Sequence, residues 1–247
     1  MLTGRDWILL LLTWAAGSMD AVSYLGLDHV LTANMTGNTV LLSLAIGQGN
    51  ALQALRSFTA LIGFVAGAAI GAGIAKPERE GEDWPPSVTA ALLVEGGVMA
   101  IFAAGWFASG HAGTRFTPYF LILLSAITMG MQSAAVRRLR IPGVVTTFIT
   151  GTITAVVSGL VTGARPAAPT LPGPSGDVPR KQVVDWEHRI ELQIGVFLVY
   201  ALGAIATVVI ESHLPSLVAV LPLFAIVPVI LIAAIHYGTA RENHVSR

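Results

Sequence analysis

The chain has no cysteine, which excludes disulfides and thiolate chemistry and leaves the redox compartment unreadable. Charge is also scarce: Asp, Glu, Lys and Arg make up 11% of the 247 residues, against about 25% in soluble domains. Fourteen basic and fourteen acidic residues cancel, so the basic footprint of a nucleic-acid partner is missing. The six histidines fall at expected helix ends or in loops, and none has metal-ligand spacing with a carboxylate inside an apolar helix. No Ser-His-Asp arrangement emerges, although Ser23 stands near Asp20. No enzyme, cofactor or metal is therefore expected.

What is present is apolar. Hydrophobic residues are 54% of the chain and the mean hydropathy is +0.72. Apolar segments fall at 7–27, 30–49, 53–75, 88–108, 117–137, 143–163, 190–211 and 214–237. Each is close to the ~20 residues that cross a bilayer as a helix. The expected fold class is an all-α polytopic transmembrane helical bundle, with the lipid bilayer as its surroundings. The first segment carries one basic residue, Arg5, and runs past Asp20 to Leu27, so it reads as a retained helix rather than a cleaved leader. Five prolines in 164–187 mark a solvated linker.

The basic residues bear on topology. Eight spans with the N-terminus inside put nine Lys and Arg inside and five outside, with the Arg137-Arg138-Leu139-Arg140 cluster outside. If 30–49 and 143–163 are broken or re-entrant, six helices cross, twelve basic residues lie inside and only Arg56 and Arg115 lie outside. The positive-inside rule favours six spans plus two broken segments, with eight spans as the alternative. Both termini are then cytoplasmic.

The two broken segments match. Thr36-Gly37-Asn38 interrupts the first and Thr150-Gly151-Thr152 the second. Gly17-Ser18-Met19-Asp20-Ala21 resembles Gly130-Met131-Gln132-Ser133-Ala134, and Gly63 and Gly71 follow Arg56 as Gly195 and Gly203 follow Arg189. The order implies two repeats, 1–112 and 113–247, inverted because each half has three spans.

These motifs, together with the Gly63-Phe64-x-x-Gly67-Ala68 helix, resemble the YoaK family of bacterial inner-membrane proteins, a family defined by a domain of unknown function. The resemblance covers nearly the whole chain. It implies a multi-pass inner-membrane location and, loosely, transport; it supplies no substrate and no catalytic residue. Ser133 stands where the family pattern has asparagine.

Backbone broken at membrane depth is tolerated where it is buried in protein or lines a watery cavity, and paired breaks in corresponding places point to a transporter site. The expected function is secondary transport or permeation of a small polar solute or ion, with a membrane scaffold or partner-binding subunit as the alternative. Asp20 and Glu95 are the intramembrane acids, each costing about 2.5–3.5 kcal/mol at a helix centre. Asp20 is read as a cavity acid or as a cap on the broken segment, and Glu95 as a structural hydrogen-bonding group or a second site acid. Thr36, Asn38, Gln132, Thr147 and Thr150 are candidate polar contacts, with Gly37 and Gly151 as the breaks. Thr36 to Asn38 also fit the start of a helix. Gly63, Gly67 and Gly71 form a small-residue stripe for close packing, within the chain or between copies.

Overall fold

The computed structural model describes residues 3–75, 84–109, 117–139, 154, 157 and 180–245. Among these residues the regular structure is all helical: α1 (Gly4–Gly26), α2 (Met35–Gly47), α3 (Ala51–Ile74), α4 (Pro86–Ser109), α5 (Thr117–Arg138), α6 (Arg180–His213), a 3-10 turn at Val218–Val220, and α7 (Leu221–Val245). Six of the helices are long and apolar enough to cross a membrane, and Met35–Gly47 is a shorter apolar helix. At about 1.5 Å per residue α2 reaches only about 20 Å, short of the ~30 Å hydrocarbon core. Among the described residues the arrangement is six spans plus one short broken segment. The matching segment 143–163 falls almost wholly outside the described residues, and Thr147, Thr150 and Gly151 with it.

Local signals set the helix ends. At the start of α1 the Thr3 amide and hydroxyl donate to Asp6 Oδ2 at 2.6 and 2.7 Å, and the Asp6 amide donates to Thr3 Oγ1 at 3.4 Å, a capping box. α5 ends on Arg137 and Arg138, whose charge suits the negative end of the helix dipole. α6 begins at Arg180, taking in the last eight residues of the stretch expected to be linker, because no proline falls between Pro179 and Pro215 and Lys, Gln and Glu tolerate helix well. In α7, Pro222 occupies the first turn, where its missing N–H has no helical partner to lose. Pro228 is interior to that helix.

The bundle has a buried apolar core that includes Ile8, Leu12, Met19, Phe102 and Ile226, but α3 turns its large apolar side chains outward and its small ones inward. On α3, Leu52, Leu55, Phe58, Ile62 and Val65 are exposed, while Ser57, Ala60, Gly63, Gly67 and Gly71 are buried. The buried stripe lies against α5: a methyl group on Gly63 would sit 3.0 Å from Ala126 Cβ, and one on Gly67 would overlap the Ile127 carbonyl. This face is therefore occupied by α5 within the chain. α6 presses on α1 in the same manner, with Gly203 against the Trp14 carbonyl and Gly17 against the Tyr200 carbonyl.

These contacts also give helix directions. Positions advance together along α3 and α5 and along α1 and α6, so each pair is parallel. α4 is antiparallel to α5, and α1, α4 and α6 run opposite to α3, α5 and α7. Further pairings are α2 with α3, α1 with α7, α4 with α5, α4 with α7 and, more sparsely, α1 with α5 and α3 with α4.

Candidate functional site

α1 leaves its last turn through Asp28 and His29, both left-handed at φ 60° and 63°. Two such residues in succession turn the chain back on itself. Arg56 pairs with Asp28 at 2.7 Å, and the Tyr24 and His29 rings meet edge to face at 4.8 Å. The chain then runs back alongside α1. The Thr32 and Ala33 amides donate to Asp20 Oδ1 at 2.8 and 2.6 Å. Asp20 lies six residues before the end of α1, a depth of about 9 Å. The segment therefore dips into the bundle, and α2 carries the chain back to the face it left. Asp20 is not at the centre of its helix, and it is 4% exposed.

Asp20 is fully engaged. Its second oxygen accepts from the Tyr200 hydroxyl of α6. The Ser23 hydroxyl donates to the Asp20 carbonyl at 3.1 Å, and the Thr32 hydroxyl to Ser23 at 3.3 Å. Asn38 holds the same loop from the other side. Its Oδ1 accepts from the Leu31 amide at 3.0 Å and its Nδ2 donates to the Leu31 carbonyl. Thr36-Gly37-Asn38 is thus the first turn of α2, capped by Asn34, whose Oδ1 accepts from the Gly37 amide at 3.0 Å. A methyl group on Gly37 would lie 2.6 Å from Leu31 Cδ1, so the Leu31 side chain packs directly over that position. Thr36 faces outward. The polar atoms of Asp20 and Asn38 are spent on the backbone and on Tyr200. Tyr200 was not a sequence candidate; a phenol between Gly195 and Gly203 in an apolar helix was the available signal.

Glu95 is different. It belongs to the interior stripe of α4, with Val88, Ala91, Leu92, Met99 and Phe102, and it is 0% exposed. Neither carboxylate oxygen has a hydrogen-bond partner among the described residues. A methyl group on Gly105 would lie 3.1 Å from Leu121 Cδ2, which sets the α4–α5 register. Ten residues along each helix from that contact, Glu95 is level with Met131 and one residue short of Gln132. Gln132 Nε2 donates to the Leu12 carbonyl at 3.0 Å. Leu12 is eight residues from Asp20 on α1, about 12 Å away, so Asp20 and Gln132 do not form one centre. The sequence candidates separate into an outer group, Asp20 with Asn38, and a deeper pair of levels, Glu95 and Gln132.

Residues 8–235 match the family described as Protein of unknown function (DUF1275). The chain belongs to this family. The UPF0700 transmembrane protein YoaK of Bacillus subtilis (strain 168) is 43% identical over 149 residues, 60% of this chain and 64% of that protein. The match therefore spans less than two thirds of the relative's length. No solved structure matches. Family membership and six membrane-length helices make this a multi-pass transmembrane protein.

Proposed function

We propose that the protein is a secondary transporter or permease for a small polar solute, working in the bacterial cytoplasmic membrane with both termini cytoplasmic. The observation that carries this reading is Glu95. A carboxylate buried in a spanning helix with no partner among the described residues is costly, and intramembrane acids mark ion and proton paths. A scaffold would gain more from an apolar residue there.

The packing supports two inverted repeats, 1–112 and 113–247. Exchanging α1 with α5, α3 with α6 and α4 with α7 maps the five most extensive pairings of the spanning helices onto one another or onto themselves; the sparse α3–α4 contact has no such counterpart. The same exchange reverses each helix direction. The membrane-centre site then lies between the halves, at the level of Glu95 and Gln132, and Glu95 rather than Asp20 is the proton- or cation-coupling acid. Asp20 favours the structural alternative for itself alone.

The test is flux into proteoliposomes under an imposed proton or sodium gradient, screened over small polar solutes. Glu95→Gln should abolish uphill accumulation while the protein keeps its elution profile. Asp20→Asn should retain most of it. Absence of flux for wild type across the screen would favour the scaffold, and unimpaired accumulation in Glu95→Gln would remove the carboxylate from the mechanism.

A further inference from the structure

A cavity of about 460 Å³ opens where α1, α4 and α6 end and α5 begins. It lies on the face that carries the α2 hairpin, between elements of both proposed halves. Its described lining is apolar except for the hydroxyls of Ser109, Thr117 and Ser216 and one carboxylate, Glu211, the only charged side chain among them. Trp106 and Phe107 contribute aromatic surface.

One described lining residue is charged. The carbonyl ends of α1, α4 and α6 meet there, and so do the amide ends of α5 and, just past the turn at Val218–Val220, of α7, so the helix dipoles largely offset one another. Glu211 adds a full charge two residues before the end of α6, where a carboxylate works against the helix dipole and so brings the helix no stability. A carboxylate beside Trp106 and Phe107 is the combination that holds an organic cation, through charge and through the ring faces.

We infer that this outer cavity binds a small organic ammonium ion, with Glu211 as counter-charge and Trp106 as its aromatic face. As the substrate class of the transporter this rests on the transport reading; as a binding site it does not.

Isothermal titration of the full chain in phosphatidylglycerol nanodiscs with choline chloride, and with its neutral isostere 3,3-dimethyl-1-butanol, tests it. Choline should saturate and the isostere should not. Glu211→Gln should weaken choline by about tenfold or more, Trp106→Leu by several-fold, and Glu211→Asp should largely retain binding, which separates charge from folding. No saturable choline binding, equal binding of both probes, or wild-type affinity in Glu211→Gln overturns the site. Competition by phosphatidylethanolamine added to the nanodiscs overturns a water-borne ligand in favour of the lipid headgroup. Glu95→Gln should keep choline binding while losing flux. Choline binding without any flux therefore rejects the transport reading alone, and flux confined to neutral solutes without choline binding rejects the ammonium site alone.

Discussion

Asp20 accepts from two backbone amides and one phenol, so its removal leaves several donors stranded in an apolar interior. Each stranded buried group costs about 1–3 kcal/mol. Asp20→Ala should therefore lower stability by roughly 3 kcal/mol or more, measured by thermal or denaturant unfolding in detergent. Tyr200→Phe should cost about 1 kcal/mol, because only one oxygen of the pair is left without its donor. Asn38→Ala should resemble Asp20→Ala, since it frees both the amide and the carbonyl of Leu31. If Asp20→Ala unfolded at the wild-type midpoint, the loop would not depend on this carboxylate. The presence of Asp20 as a buried acid was legible in the sequence, and capping the broken segment was one of its two readings. Its partners were not legible. Thr32 and Ala33 engage through backbone amides, which no side-chain pattern reports, and Tyr200 lies 180 residues away. Glu95 was legible as an interior acid because its neighbours on both sides are apolar. That it has no partner among the described residues is a property of packing alone.

The glycine contacts act at the level of whole helices. A methyl group on Gly67 would overlap the Ile127 carbonyl and lie 2.7 Å from its Cα, whereas one on Gly73 would meet nothing within 4 Å. Both glycines sit in α3, so the pair is an internal control. Gly67→Ala must push two backbones apart, at a cost of about 1–3 kcal/mol or more. Gly73→Ala should be neutral or stabilising by up to ~1 kcal/mol, because alanine loses less backbone freedom in a helix. Thermal unfolding of the two variants side by side decides it, and equal midpoints would contradict parallel α3–α5 packing. Small-residue spacing announced a close approach, but not its partner. A stripe of glycines is equally suited to a second copy, and only the tertiary arrangement puts α5 over it. The step at Thr36 was legible as a helix start as well as a break. Residue 36 then faces outward because α2 turns its Asn38 side, rather than its Thr36 side, toward the re-entrant loop.

At the scale of the whole molecule, the decisive quantity is the side on which each connection lies. Helix directions place the α2–α3 junction at the end where α1 finishes, and the end of α5 at the opposite end, beside the end of α3. Arg138 reaches across to the Ala72 carbonyl at 3.3 Å there. An eight-span chain with the same N-terminus would exchange these two positions. The absence of cysteine makes the distinction measurable without background. Gln48 and Arg137 are both exposed, and single Gln48→Cys and Arg137→Cys chains can be treated with an impermeant maleimide in intact cells. With the positive-inside orientation, Cys at 48 should label before lysis and Cys at 137 only after it. Arg138 stays in place in the second variant, so most of the local charge that sets orientation is kept. Labelling of 137 alone before lysis would mean that the bundle is inserted the other way round or that the short α2 crosses after all. A second probe at His213, exposed at the end of α6, separates those outcomes. Position 213 follows 48 in the six-span bundle whichever way it is inserted, and in the eight-span chain, where seven spans precede it, it follows 137. Agreement of 48 and 213 on one side and 137 on the other is the pattern required by three spans in each half, and hence by inverted repeats around a shared centre.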